Sequence, residues 1–198
     1  MTSSTSSATP IVGNVVDALE NIVSGVPASR ERAVHMPGQT ARALARKAAT
    51  RAAALSGALA LPPGVLGMLT VLPDLVAIWR VQAQLVSDIA GLYGKDLQLT
   101  RAHMVYCLFR HAASQFARDV AVRTGQRVVV RQLTGGALRA VLSTAGITIT
   151  QRIAGTAASR WVPVAGAAAV AAYAYFDTIQ VAKTAIRLLE TPSLAVND

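Results

Sequence analysis

Alanine-rich apolar stretches, cut at intervals by proline and glycine, constrain this chain most. Runs such as Ala52-Ala53-Ala54 and Ala167-Ala168-Ala169 combine the best helix propensity with side chains small enough to let helices approach closely. The breaks are equally legible: Pro27, Pro37-Gly38, Pro62-Pro63-Gly64, Gly94, Gly125 and Gly135-Gly136. Helices between breaks predict an all-α protein: a single compact multi-helix domain over residues 39–190. An additional N-terminal amphipathic helix precedes it. No repeat of fixed period is found.

The N-terminal helix is read over 10–27, because Ile11, Val12, Val15, Val16, Leu19, Ile22, Val23 and Val26 recur at helical spacing. Residues 1–9, rich in Ser and Thr, are expected to be disordered, and 191–198 to form a loose tail. No basic stretch precedes an apolar one at the start, so no secretory signal is read. Within the domain, helices are expected over 39–61, from Pro73 to about Tyr93, over 98–124, over 137–158 and from Pro163 to about Glu190. Val128-Val129-Val130 could form a strand. Because no partner strand is evident, residues 127–134 are also expected to be helical.

Charge is the second signal. Lys and Arg number 19 against 10 Asp and Glu, a net charge of +9. Such a chain attracts polyanions, either nucleic acid or an anionic membrane surface. Aromatic residues are only 5% of the chain, few for stacking bases. No helix pair with a tight turn suggests a helix-turn-helix, so sequence-specific nucleic-acid readout is not expected. Arg42, Arg46, Lys47 and Arg51 on one predicted helix are the candidate anionic-surface residues. Arg118, Arg123, Arg127 and Arg131 add to the basic set.

Residues 52–73 and 161–176 carry no charge and raise the question of a membrane span. Pro62-Pro63-Gly64 interrupts the first. Asp177 closes the second, and placing a carboxylate at the centre of a bilayer costs about 2.5–3.5 kcal/mol on insertion scales. A soluble or peripheral protein is the preferred reading.

Candidate ligand-binding residues lie on two helices. Arg80, Gln84 and Asp88 form an i, i+4, i+8 row, with Asp74 at the expected helix start. Asp177 and Gln180 share a side of the last helix, ahead of Lys183 and Arg187. The row either lines a polar site or faces solvent. If Asp177 is buried it needs a partner, and Arg80 is a candidate. His103, Cys107 and His111 are spaced four apart, but three residues drifting around one helix rarely converge on a metal. A structural role is the simpler reading. A lone cysteine permits no internal disulfide. No phosphate loop or dinucleotide motif occurs, and no cofactor is expected.

The run Leu72-Pro73-Asp74-Leu75-Val76, then Gln82 and Gln84, then Ile89-Ala90-Gly91-Leu92-Tyr93-Gly94-Lys95-Asp96 resembles the EcsC-like family of bacterial proteins. Leu61-Pro62-Pro63-Gly64-Val65-Leu66-Gly67 is similar to that family's apolar lead-in. Val162-Pro163-Val164-Ala165-Gly166-Ala167 with Phe176-Asp177 is similar to its last helix. The resemblance spans about residues 40–190 and implies an all-α, membrane-proximal bacterial protein. It implies no catalytic residues.

The function expected from these features is non-enzymatic binding of lipid or an anionic membrane surface, with an internal apolar cavity as one form. The location would be cytoplasmic, peripheral at the inner face of the membrane. One alternative is a hydrolase-type enzyme built on a buried Asp/Arg cluster, which needs two of its carboxylates in one cavity. Another is an assembly protein that docks a partner through residues 10–26.

Overall fold

The structure is a computed structural model. It describes residues 17–18, 20–22, 25–59, 66–110, 121–124, 127–130 and 163–191. The fold is all-α. The described residues include the helices α1 (Pro37–Leu59), α2 (Leu66–Leu92), α3 (Arg101–Phe109) and α4 (Pro163–Glu190), with a 3-10 turn at Asp96–Gln98.

The alanines decide how these helices meet. On α1, Ala41, Ala45, Ala49, Ala52 and Ser56 form one buried stripe at spacings of three and four. On α4, Ala174, Thr178, Val181, Ala182 and Ala185 are buried in turn. Gly38 lies beside Glu190 at one end of the seam, and the Ser56 hydroxyl is 3.5 Å from the Val170 carbonyl at the other. The two helices are therefore antiparallel. Helices α2 and α4 run in the same direction: Gln82 meets Asp177 and Thr178, and Tyr93 meets Glu190.

Larger side chains fill the space at the α2 end of the bundle. Trp79, Val86, Ile89, Met104, Val105, Phe109, Val181 and Leu189 belong to one core cluster, and Trp79 meets Phe109 edge-on at 6.1 Å between ring centroids. Ile22 joins this core and Val26 packs against it. Asp17, Ala18, Glu20, Asn21 and Ile22 are helical, so the described part of the N-terminal amphipathic segment packs on its own domain. The other apolar positions of that segment up to residue 24 lie outside the described residues, as do residues 1–9, 137–158 and 192–198.

Three helices differ from expectation in their boundaries. Pro73 lies inside α2, not at its start, since the helix begins at Leu66. An apolar segment offers its backbone few side-chain partners, and helix satisfies the backbone internally at the loss of one donor at Pro73. Likewise α1 takes Pro37 as its first residue, where a missing N–H is harmless. The helix expected over 98–124 begins at Arg101, because Thr100 caps it, and it does not persist to 124. Ala121–Thr124 and Arg127–Val130 instead pair as an antiparallel hairpin, with Ala121 opposite Val130. Val128 therefore has a partner strand after all. β-branched residues on both sides of a glycine-containing two-residue connection suit a hairpin better than a helix. Two breaks match: Gly94 stops α2 in the left-handed region (φ 64°), and α4 starts at Pro163, while Pro62-Pro63-Gly64, Gly125 and Gly135-Gly136 lie outside the described residues.

Among the described residues, no helix is long and apolar enough to cross a membrane.

Candidate functional site

The row Arg80, Gln84 and Asp88 lies on one side of α2, and the structure divides its work. Asp88 is buried, and its Oδ1 accepts from the Arg30 backbone N–H at 2.8 Å and from Gln84 Nε2 at 2.8 Å. Gln84 Nε2 also donates to the Ala28 carbonyl at 3.0 Å. A little further along, the Val34 N–H donates to the Leu92 carbonyl at 3.2 Å. Residues 28–34 thus form a strap fastened along α2. Gly91 permits the close approach, because a Cβ there would overlap the Ser29 side chain. Replacing Asp88 with alanine removes a charged acceptor that serves two donors. The expected cost is about 2 kcal/mol, with faster hydrogen exchange at the Arg30 amide than at the α2 core amides.

Arg80 remains exposed. With Lys47 and Arg51 it lines a groove of about 820 Å³ between α1, α2 and residues of the N-terminal segment that include Ala18, Ile22, Arg30 and Glu31. The floor is apolar, with Leu44, Ala48, Val76 and Leu85, and Arg30, Lys47, Arg51 and Arg80 stand around it. Glu31 and Asp88 also line it. The groove therefore joins residues that the sequence offered as two separate sets, the polar row of α2 and part of the basic row of α1.

The other expected site residues do not gather there. Asp177 is half-buried on the seam of α2 and α4, where its Oδ2 accepts from Gln82 Nε2 at 2.7 Å. The same amide reaches Thr178 Oγ1 at 3.2 Å. Gln82 is thus one partner of Asp177. Gln180 is exposed. Asp74 lies in α2, and its side chain is outside the described residues. Arg42 and Arg46 face away from Lys47 and Arg51, into a second groove with Lys183 and Arg187. The side chains of Arg118, Arg123, Arg127 and Arg131 are outside the described residues.

Sequence reasoning missed Gln82 as an anchor and residues 28–34 as a strap. Nothing local marks the strap, since its fastening to Asp88 spans 58 positions.

The His103/Cys107 spacing serves structure. His103 completes a capping box: its N–H donates to Thr100 Oγ1 at 3.3 Å, and its Nδ1 accepts from the Thr100 N–H at 3.1 Å. Burial pushes the imidazole below its ordinary pKa. Cys107 is fully buried, and burial pushes its thiol up to about 12. A thiol that is both covered and protonated is a poor nucleophile. Cys107 in the folded protein is expected to resist iodoacetamide at pH 8 and to react at once in denaturant. Ready alkylation of the native chain would contradict this placement. Among the described residues, no three His, Cys, Asp or Glu side chains gather as a metal-holding group. His111 lies outside them.

At the end of the α2–α4 seam, the Tyr93 hydroxyl donates to Glu190 Oε1 at 3.0 Å. Burial, and then the carboxylate beside it, raises the Tyr93 pKa to about 12 from an ordinary 10.0. The folded state thus favours the protonated phenol. Its stabilising contribution is complete below pH 10 and is lost as pH rises through about 12. Alkaline unfolding curves of Tyr93→Phe and the parent should therefore converge over that window. Equal differences at pH 8 and pH 12 would contradict the assignment.

No family model, curated protein or solved structure matches this chain. The geometry of the two grooves therefore carries the functional reading.

Proposed function

We propose that this chain is a non-enzymatic helical protein that binds lipid at an anionic membrane surface. The supporting observation is the larger groove, where an apolar floor of Leu44, Ala48, Val76 and Leu85 is ringed by Arg30, Lys47, Arg51 and Arg80. An apolar floor takes methylene groups, and guanidinium and ammonium groups take phosphate oxygens. The net charge of +9 draws the chain toward such a surface. This reading places the protein in the cytoplasm, peripheral at the inner face of a bacterial membrane. Membership in the EcsC-like family belongs to the same proposal and rests on the sequence run around Leu72–Asp96. The hydrolase alternative needs two of Asp74, Asp88 and Asp177 in one cavity: Asp88 borders this groove, Asp177 lies on the α2–α4 seam, and the Asp74 side chain is outside the described residues.

Native mass spectrometry of protein purified without detergent tests this reading. The expected result is anionic phospholipid co-purified at defined stoichiometry. A ligand-free protein that also ignores anionic vesicles would overturn it.

A further inference from the structure

The second groove sits on the opposite side of α1 and belongs to the α1–α4 seam. Because α1 and α4 are antiparallel, with Gly38 beside Glu190 and Ser56 beside Val170, Arg42 falls opposite Arg187, and Arg46 opposite Lys183. Each helix contributes an i, i+4 cation pair, and the two pairs face each other across a cleft of about 370 Å³. All four side chains are exposed, and Ala45, Ala182 and Ile186 form a buried floor beside half-buried Ile179.

Charge in this cleft is unbalanced. Among the described residues, four cations line it against one carboxylate, Glu190, whose Oε1 accepts from the Tyr93 hydroxyl. Arg187, in the last turn of α4, suits the negative end of that helix. A positive charge on Arg42 partly offsets the rise in the Tyr93 pKa, so Arg42 stands near the Tyr93–Glu190 pair, and Arg46 and Lys183 lie further along the cleft. A merely solvated basic face would spread its charges, because like charges repel. Here they are set around an apolar strip.

That combination selects the ligand. Arginine forks match the paired oxygens of a phosphate, and lysine adds a point charge. Ile179 and Ile186 beside them suit a ligand whose phosphate adjoins apolar carbon. The volume is at the lower end of ligand sites, about 300–1,000 Å³.

We infer that the α1–α4 groove is a separate phospholipid headgroup site, in which Arg42, Arg46, Lys183 and Arg187 hold the phosphate and Ile179 and Ile186 meet the first carbons of the acyl chains. This deepens the lipid reading above and rests on it. The site does not share residues with the larger groove, so the two are separable by mutation.

The test is a calorimetric titration of the full chain with dihexanoyl phosphatidic acid, kept below its micelle-forming concentration. Inorganic phosphate and glycerol 3-phosphate serve as comparison ligands. The expected result is saturable binding that includes one lipid per chain at this site, beyond any taken by the larger groove. Combining Arg46→Gln with Lys183→Gln should weaken it at least about tenfold, as the loss of charge-assisted bonds implies. Arg101→Gln, at an exposed position outside both grooves, should leave it unchanged. All three positions are exposed, so both variants should melt as the parent does. Absence of saturable binding, or undiminished binding by the Arg46/Lys183 variant, would overturn the inference. Inorganic phosphate binding as tightly as the lipid would show a plain anion site and overturn the lipid assignment. Vesicle adsorption, measured in parallel, separates the two proposals. Loss of vesicle binding with retained binding of the short lipid would remove the membrane reading and leave this site standing.

Discussion

Reversing Lys47, Arg51 and Arg80 together to glutamate is expected to abolish adsorption to anionic vesicles. A basic side chain near an anionic leaflet contributes about 1 kcal/mol, and reversal replaces each attraction with a repulsion of similar size. Three reversals around one groove therefore weaken partitioning by more than about a thousandfold. All three side chains are exposed, so the fold should survive with a shift within about 0.5 kcal/mol per site. The same reversals should have no effect on the weak binding to zwitterionic vesicles, where there is no charge to meet. Equal loss on both vesicle types would point to misfolding in place of lost electrostatics. Retained adsorption to anionic vesicles would remove the groove from the function.

The largest effect on stability is expected at Phe109. Its side chain is only 2% exposed, it ends the nine-residue α3, and its ring meets Trp79 edge-on. Helix α3 is too short to be stable alone in water, so it depends on such packing. Phe109→Ala deletes the ring and leaves a cavity at the centre of the main core. The expected cost is about 3–5 kcal/mol, read from the denaturant midpoint. Leu97→Ala is the control, because Leu97 is 97% exposed and its truncation should cost less than about 0.5 kcal/mol. A Phe109→Ala variant as stable as the control would mean that α3 is not anchored as described.

Local chemistry made much of this fold legible. Pro163 starts α4 and Gly94 ends α2, and both signals act within one turn of the residue that carries them. Pro73 misled for the same reason: it is a strong local start signal, and a helix that had already formed from Leu66 overrode it. The hairpin at 121–130 was hidden because each strand is only four residues long and pairs with a neighbour that alone reads equally well as helix.

The candidate site was legible only in pieces. The spacing of Arg80, Gln84 and Asp88 put them on one side of α2, and that is where they lie. Spacing along one helix says nothing about distant partners, so the hold of Asp88 on the strap and of Gln82 on Asp177 emerged only from packing. The basic residues of α1 already fall into two i, i+4 pairs in the sequence, Arg42 with Arg46 and Lys47 with Arg51. Successive helical positions are turned about 100° apart, so Arg42 and Arg46 face one groove while Lys47 and Arg51 face the other. Lys183 and Arg187 join the first pair only because the alanine stripes bring α1 and α4 together.

Flotation of the unmodified chain with vesicles tests membrane binding most directly. Two compositions suffice, pure phosphatidylcholine and the same lipid with phosphatidylglycerol added, each at low and at high salt. The expected result is flotation with the anionic vesicles at low salt, a steep decline as salt screens the arginines, and little with phosphatidylcholine alone. A chain that stays at the bottom of the gradient with both compositions at low salt would contradict membrane binding outright.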